Sequence, residues 1–549
     1  MSNLKTPDRI KTLDDDRFDV IVVGAGIGGL TAAATLAHRG KKVLVLDMHY
    51  EMGGCATVFH RKGKAYEFDV GLHYIGDCGP EGLIPRILRG AGIDYNEIEF
   101  LEQDPEAFDT LCFPGYRFGI PRGFERFKEK LLAEFPQEKK GIIRYFKYLD
   151  QVWKFMGIHS NPKSALWILP QCLLLARYAN ATVKEFLDTC TQDKKLRAIL
   201  TGQLGVYHQP PSRASMAGHA GVTNHFLQGS FYPSGGGQVF SDKLGEAVER
   251  NGGKILLRSK VTKILVENGA VKGVEFENKK LGTKTVYADN VIANADIKHT
   301  LLELVDSKWL KPKTLKKTRD YEMSPAMGIV YLGIDLDMIK EGHKNTNYRI
   351  YPDYDYEIAY SAIFKEKFPE NPHVFIGNAT LKDPQNKNLA PEGIYNLQLM
   401  SVTPASPEAW GLTEEEVKDG SYRKNPEYLK KKQWYAEQLI KTAESVIPGL
   451  SKHIVYQDVS TPFSVTRFIG SSGGTSYGIA FTPEQFLHRR PSEKTEVKGL
   501  YLCGASTRTG HGIFGAMTGG VEAAAAVAGR NVRYDVLDLG KRAVASAEA

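Results

Sequence analysis

Three glycines, Gly24, Gly26 and Gly29, stand in the spacing G-x-G-x-x-G. Such a set serves a phosphate turn. The first glycine permits the tight turn, the second lets main chain approach a pyrophosphate, and the third lets helix and strand pack closely. A helix opening there offers free N–H groups and its positive dipole end to phosphates. Asp47, 23 residues after Gly24, is spaced to bond ribose hydroxyls. A second pair, Gly53-Gly54, suits main chain running close to a large bound group. A third glycine-rich loop, through Gly504, Gly510 and Gly512, follows an apolar strand and opens an alanine-rich helix in GLYLCGASTRTGHGIFGAMTGGVEAAAAVAG, residues 499–529. Two histidines lie inside such loops, His73 in FDVGLHY and His511 in RTGHGI. Imidazole exchanges protons near neutral pH, so both are candidate acid–base groups. Tyr74, Arg508, Cys55 and Cys503 share these motifs. There is no G-x-S-x-G elbow, no C-x-x-C pair, no H-E-x-x-H and no Cys/His cluster. Neither an acyl-transfer triad nor a metal site is expected.

The elements that must hold these loops are legible around them. FDVIVV, ending at Val23, is an apolar run suited to a strand buried on both faces of a parallel sheet. LTAAATLAHRG follows as a helix stopped by Gly40, and KKVLVLD as a second strand ending at Asp47. In the middle of the chain SDKLGEAVERNGG reads as a helix. KILLR, KVTKILVENG, AVKGVEFEN and VYADNVIAN read as strands, with a hairpin turn at Asn268-Gly269. The polar stretches YRIYPDYDYEIAY (348–360) and KDPQNKNLAPEG (382–393) read as surface loops. No second G-x-G-x-x-G follows a strand, so a separate nicotinamide domain is not expected.

The 549 residues are 42% hydrophobic and 25% charged, a globular balance. A net charge of +7 is too dilute for a nucleic-acid binder and suits weak attraction to anionic lipid. The six cysteines and the polar first residues, with no secretory signal, imply a reducing compartment and a cytoplasmic protein. Residues 165–176, ALWILPQCLLLA, are nearly all apolar, with Lys154, Lys163, Arg177 and Lys184 nearby. Twelve residues cannot span a bilayer. They are either a buried core helix or a patch dipping into one leaflet; the second makes the protein peripherally membrane-associated.

Taken together, the G-x-G-x-x-G, Gly53-Gly54, FDVGLHYIG, YPSGGG (232–237), SSGGTSYGIAFTPEQFLHRRP and the last glycine loop resemble the FAD-dependent phytoene desaturase superfamily, and most its retinol saturase and carotenoid isomerase branch. The resemblance runs from about Phe18 to Gly529. It implies an α/β fold: a discontinuous Rossmann-like FAD-binding domain (18–80, 232–300 and 490–530) with an interleaved α+β substrate domain (81–231 and 301–489). Residues 1–17 would be a mobile leader and 531–549 a C-terminal tail. Residue by residue, the resemblance places Gly24, Gly26 and Gly29 at the pyrophosphate, Asp47 at the adenosine ribose and Val261 at the adenine. Gly53, Gly54 and Ala56 would follow the flavin side, with Gly504, Gly512 and Ile513 at the ring and ribityl chain. It implies saturation, desaturation or isomerisation of a hydrophobic polyene. The electron donor or acceptor stays open; NADPH would have to visit the flavin or act through a partner. His208, His219, His225 and Tyr207 are candidates for a substrate tunnel. The alternatives are a flavin-dependent amine oxidase and a non-catalytic FAD-containing lipid carrier.

Overall fold

The computed structural model describes residues 13–157, 165–529 and 531–536. The apolar runs VIVV and VLVL form fully buried strands Val20–Val23 and Val43–Leu46 at the centre of a parallel sheet. Its five strands are ordered Lys254–Leu256, Val43–Leu46, Val20–Val23, Val291–Ala293, Leu500–Leu502. Three distant stretches of sequence therefore meet in one sheet. Helix Ile27–Ala37 is buried along its whole length because it lies between Gln238–Arg250 and Gly512–Ala528; small side chains let three helices approach this closely.

A second, seven-stranded sheet is mostly antiparallel. Its order is Ile454–Ser460, Ala326–Ile334, Tyr395–Thr403, Val374–Asn378, Asn347–Ile350, Asp109–Phe113, Tyr116–Ile120. Helices including Lys139–Gly157 and Met216–Leu227 pack beside it.

Five expectations are corrected. Of the leader, residues 1–12 lie outside the described residues, whereas 13–17 are anchored: Tyr287 N–H donates to the Asp16 carbonyl at 2.7 Å, and Arg17 bridges Tyr287. In the tail, 531–536 is helical and buries Val532 and Val536, the latter against Gly90; residues 537–549 lie outside the description. VYADNVIAN is not one strand. Gly282–Tyr287 is the edge of an antiparallel sheet and Val291–Ala293 pairs in the parallel one, so the chain changes partners between them. The 348–360 stretch is no surface loop. Asn347–Ile350 is a buried strand and Tyr351, Tyr356 and Tyr360 are buried. Their polarity is deceptive: the hydroxyls of Tyr351 and Tyr356 donate to the carbonyls of Gly202 and Ala198 at 2.6 and 2.7 Å, and the rings fill the core. Likewise Lys382 and Leu389, inside 382–393, are buried. The hairpin at Asn268-Gly269 forms with positive φ at both residues, 51° and 72°.

Candidate functional site

One continuous cavity of about 1250 Å³ runs from the glycine loops to the helices over the second sheet. At the loop end Gly26 caps helix Ile27–Ala37 without any side-chain cap, so the first-turn N–H groups are left for a ligand in the cavity wall. Gly53 and Gly54 run beside this turn, with the Gly53 N–H on the Ala25 carbonyl at 2.8 Å. Gly28 faces the last helix: an added Cβ would stand 2.9 Å from the Ala516 carbonyl and 3.2 Å from Gly504 Cα.

Among the sequence-singled residues, Gly26, Gly53, Gly54 and Ala56 line the cavity, as do Gly504, Gly512 and Ile513. His73 and His511 line it too. Gly24, Gly29, Asp47 and Val261 are not among the lining residues. A Cβ on Gly29 would sit 2.2 Å from the Gly24 carbonyl, so this pair closes the turn. Asp47 accepts from the N–H groups of Ala25 and His49 at 2.6 and 2.7 Å. Two carboxylate oxygens offer about four acceptor positions, which leaves capacity for a hydroxyl. Val261 is buried in the core within the strand Ser259–Glu267, which starts where Ser259 N–H meets the Asp47 carbonyl at 2.7 Å.

Asn294 carries no motif that marks it as a site residue, although it directly follows the strand Val291–Ala293. Its Nδ2 donates to the Gly24 carbonyl at 3.3 Å and its Oδ1 accepts from Cys503 Sγ at 3.3 Å. Cβ atoms built on Gly26, Gly28 or Gly504 would all strike its side chain within 2.9 Å. One asparagine therefore spaces the first and last glycine loops.

FDVGLHY and YPSGGG meet through Asp69, whose carboxylate accepts from Tyr232 Oη at 2.5 Å and Gly237 N–H at 2.8 Å. Burial pushes its pKa up to about 6. His73 and His511 each bury an Nε2 without a hydrogen-bond partner. Burial, then Lys382 and Arg349, push His73 down to about 3; burial, then Arg490 and His208, push His511 well below its ordinary value. Burial thus favours the neutral form of both rings. His208 and His225 also line the cavity, held down to about 4 and 3 by burial. His225 Nε2 accepts the Gly76 N–H at 2.9 Å, which fixes the ring proton on Nδ1. His219 is no lining residue. It is clasped between the hydroxyls of Tyr145 and Tyr207, at 2.8 and 2.9 Å.

The other end of the cavity is apolar, with Val152, Met156, Leu169 and Leu175 in its wall. Its rim is the 165–176 segment, which is not a buried core helix: it forms short helical pieces with Leu166 80%, Trp167 77% and Leu173 75% exposed. Among the described residues no helix is long and apolar enough to cross a membrane.

A family model described as an NAD(P)-binding Rossmann-like domain matches residues 22–90. The chain is 29% identical to an all-trans-retinol 13,14-reductase of Danio rerio, over 96% of this chain and 88% of that one. It is 27% identical to a chloroplastic prolycopene isomerase of Daucus carota, over 93% and 80%. Among solved structures it is similar to an oxidoreductase from Methanosarcina mazei, with a TM-score of 0.61 at 18% identity, covering 91% of this chain and 98% of that one. At that identity the likeness speaks for the fold.

Proposed function

We propose that this chain, a relative over nearly its whole length of the retinol 13,14-reductases and the prolycopene isomerases, is an FAD-dependent oxidoreductase. It acts on carbon–carbon double bonds of a polyene lipid, a carotenoid or retinoid, as saturase, desaturase or isomerase. The observation that carries this reading is that the glycine-loop trough and the apolar mouth are parts of one cavity. A long apolar chain entering from the mouth meets a dinucleotide held in the trough, away from water.

The residues fit FAD. The uncapped first turn after Gly26 suits the pyrophosphate, and Gly28 and Gly504 leave room where a Cβ would collide. Gly53, Gly54 and Ala56 line the path onward, and the loop through Gly504, Gly512 and Ile513 lies beside it. Asp47 takes the ribose. Bound there, the isoalloxazine would supply hydride or electron exchange with the polyene. The protein's own part is to hold, orient and keep dry. His73 and His511, neutral rings with orphan nitrogens, act as hydrogen-bond partners of the bound groups.

The rim at 165–176 is assigned as a peripheral membrane contact. Exposed Leu and Trp side chains enter one leaflet, while Lys154, Arg177 and Lys184 stay at headgroup level; Lys163 lies outside the described residues. The substrate then passes from lipid to cavity without crossing water.

The test is incubation of the purified protein in liposomes with a panel of carotenoids and retinoids, with flavin oxidised or anaerobically reduced. Products are read by chromatography and mass spectrometry. Hydrogens gained identify a saturase and hydrogens lost a desaturase. A new retention time at unchanged mass, only with reduced flavin, identifies an isomerase. No conversion in any sample, with peroxide formed from amines, would replace the reading by an amine oxidase. Polyene bound with no coupled flavin redox change would leave a carrier.

A further inference from the structure

The cavity floor is one face of the seven-stranded sheet, and its chemistry changes from strand to strand. Arg349 pairs with Phe375 and Phe375 with Met400, so these three form one row across adjacent strands. Two residues on, the same face carries Tyr351, His373, Val402 and Met327; Val402 pairs with Met327, and the rings of Tyr351 and His373 stack at 6.0 Å. All seven line the cavity. The floor is thus apolar on the side of Met327, Met400 and Val402. It becomes polar toward Arg349, Tyr351 and His373, where His208 and Tyr74 also face the cavity.

Arg349 gives this corner its charge and its donors. Its side chain is 4% exposed and its Nε meets Asp109 Oδ2 at 3.1 Å. Its Nη2 donates to the Tyr74 hydroxyl, which donates in turn to Asp109 Oδ2 at 3.3 Å. Asn347 and Gln203 donate to the same carboxylate at 3.0 and 3.2 Å. The cation is therefore neutralised and its geometry fixed. Neither contact uses Nη1. Facing that nitrogen is Gly205, also in the cavity wall, where a Cβ would stand 3.1 Å away. The Tyr351 hydroxyl also meets the guanidinium, and the missing side chain at Gly205 leaves the Nη1 edge turned to the cavity wall. A charged donor of this kind suits a neutral oxygen acceptor, since a second anion would unbalance the pair. An unfunctionalised hydrocarbon would gain nothing from it.

We infer that the cavity selects polyenes bearing a terminal oxygen, a hydroxyl or carbonyl, which Arg349 Nη1 binds at the polar corner of the floor. This rests on the proposed polyene function and names its substrate class. It makes Arg349 a specificity-determining residue and Gly205 the gap that exposes it.

The test is a fluorescence-quenching titration of the flavin-loaded protein, in detergent micelles, with all-trans-retinol and with the same polyene lacking the hydroxyl. A hydrogen bond to a charged donor predicts a preference of about tenfold or more for retinol. Gly205→Ala, which places a methyl against Nη1 and leaves the ion pair intact, lowers that preference several-fold. Arg349→Leu with Asp109→Leu removes the pair together, so no lone charge is buried; it abolishes the preference while hydrocarbon binding stays within about twofold. Equal affinity for both probes in the unsubstituted protein, or a preference that survives Gly205→Ala and the double replacement, overturns the inference. Gly205→Ala decides alone if the double replacement does not fold. Binding of neither probe by folded protein overturns the polyene function itself, and this inference with it.

Discussion

Lys382 donates its Nζ to the main-chain carbonyl of His73 at 2.5 Å. A buried cation at the end of the short helix Ala379–Lys382, which follows the strand Val374–Asn378 of the second sheet, thus fastens the FDVGLHY loop, 309 residues away in sequence, within reach of the Asp69 carboxylate that ties the same loop to YPSGGG. The two halves of the cavity are locked together by a charge that burial disfavours.

That cost has a measurable sign. Burial, partly offset by Asp69 and Asp109, pushes Lys382 down from 10.5 to about 7. Between these values the unfolded chain holds a proton that the folded chain has lost, so stability rises with pH across the window, by up to about 1.4 kcal/mol per unit. Below pH 7 both states hold the proton and the gain is absent. Lys382→Met keeps the apolar stem and removes the titration. Denaturant unfolding at pH 7.5 and 9.5 should show the unsubstituted protein gaining stability on the variant. Parallel profiles would show that Lys382 does not titrate in that range.

The same sign holds at lower pH through His208 and His219, only 2% and 1% exposed and both held down to about 4 by burial. Between pH 6.5 and about 4 the unfolded chain takes up two protons that the folded one refuses, so stability falls as pH falls. The slope is up to about 2.7 kcal/mol per unit from this pair. His219→Gln, still able to bond Tyr145 and Tyr207, should lower the slope by one proton's share, up to about 1.4 kcal/mol per unit. Urea titrations from pH 7 to 5 measure it, and an unchanged slope in the variant would refute the assignment.

The parallel sheet was readable because its signals are local: strand, glycine turn, helix and acid follow one another within thirty residues. The site's second half was not. Arg349 and Lys382 fell in stretches whose Tyr, Asp and Pro content reads as loop. The available signal was weaker, the period-two alternation of Tyr348 and Ile350 with Arg349 and Tyr351. It places the first two in the core cluster over the sheet and the others on the cavity. Even so, the row Arg349–Phe375–Met400 exists only once register across three strands is set, and no single segment encodes register. Asn294 was hidden for a related reason, since its role depends on two glycine loops more than 200 residues apart.

The glycines make different demands. Gly29→Ala forces a methyl to 2.2 Å from the rigid Gly24 carbonyl, whereas nothing stands within 4 Å of a Cβ on Gly79. The first should cost about 1–3 kcal/mol and strip flavin from the protein. The second should stay within about 0.5 kcal/mol. Flavin absorbance per chain after gel filtration, with melting temperature alongside, checks both. Full flavin retention in Gly29→Ala would refute close packing at that turn.

The cavity rim can be tested apart from the chemistry. Leu166 and Leu173 are 80% and 75% exposed and belong to the rim rather than to the described core. Replacing both by Glu should leave the melting temperature nearly unchanged, as exposed positions do. Burial of each leucine in lipid is worth about 1.5–3 kcal/mol, so losing two should weaken partition into phosphatidylcholine vesicles by at least about tenfold. Adding anionic lipid should strengthen binding of the unsubstituted protein, and salt should weaken that increment alone, because the basic flanks are screened while the apolar insertion is not. Turnover of polyene presented in vesicles should fall with partition, while turnover of polyene in detergent should persist. Vesicle co-sedimentation with paired assays separates these outcomes. If the double variant binds vesicles as well as the unsubstituted protein, the 165–176 segment is not the membrane contact.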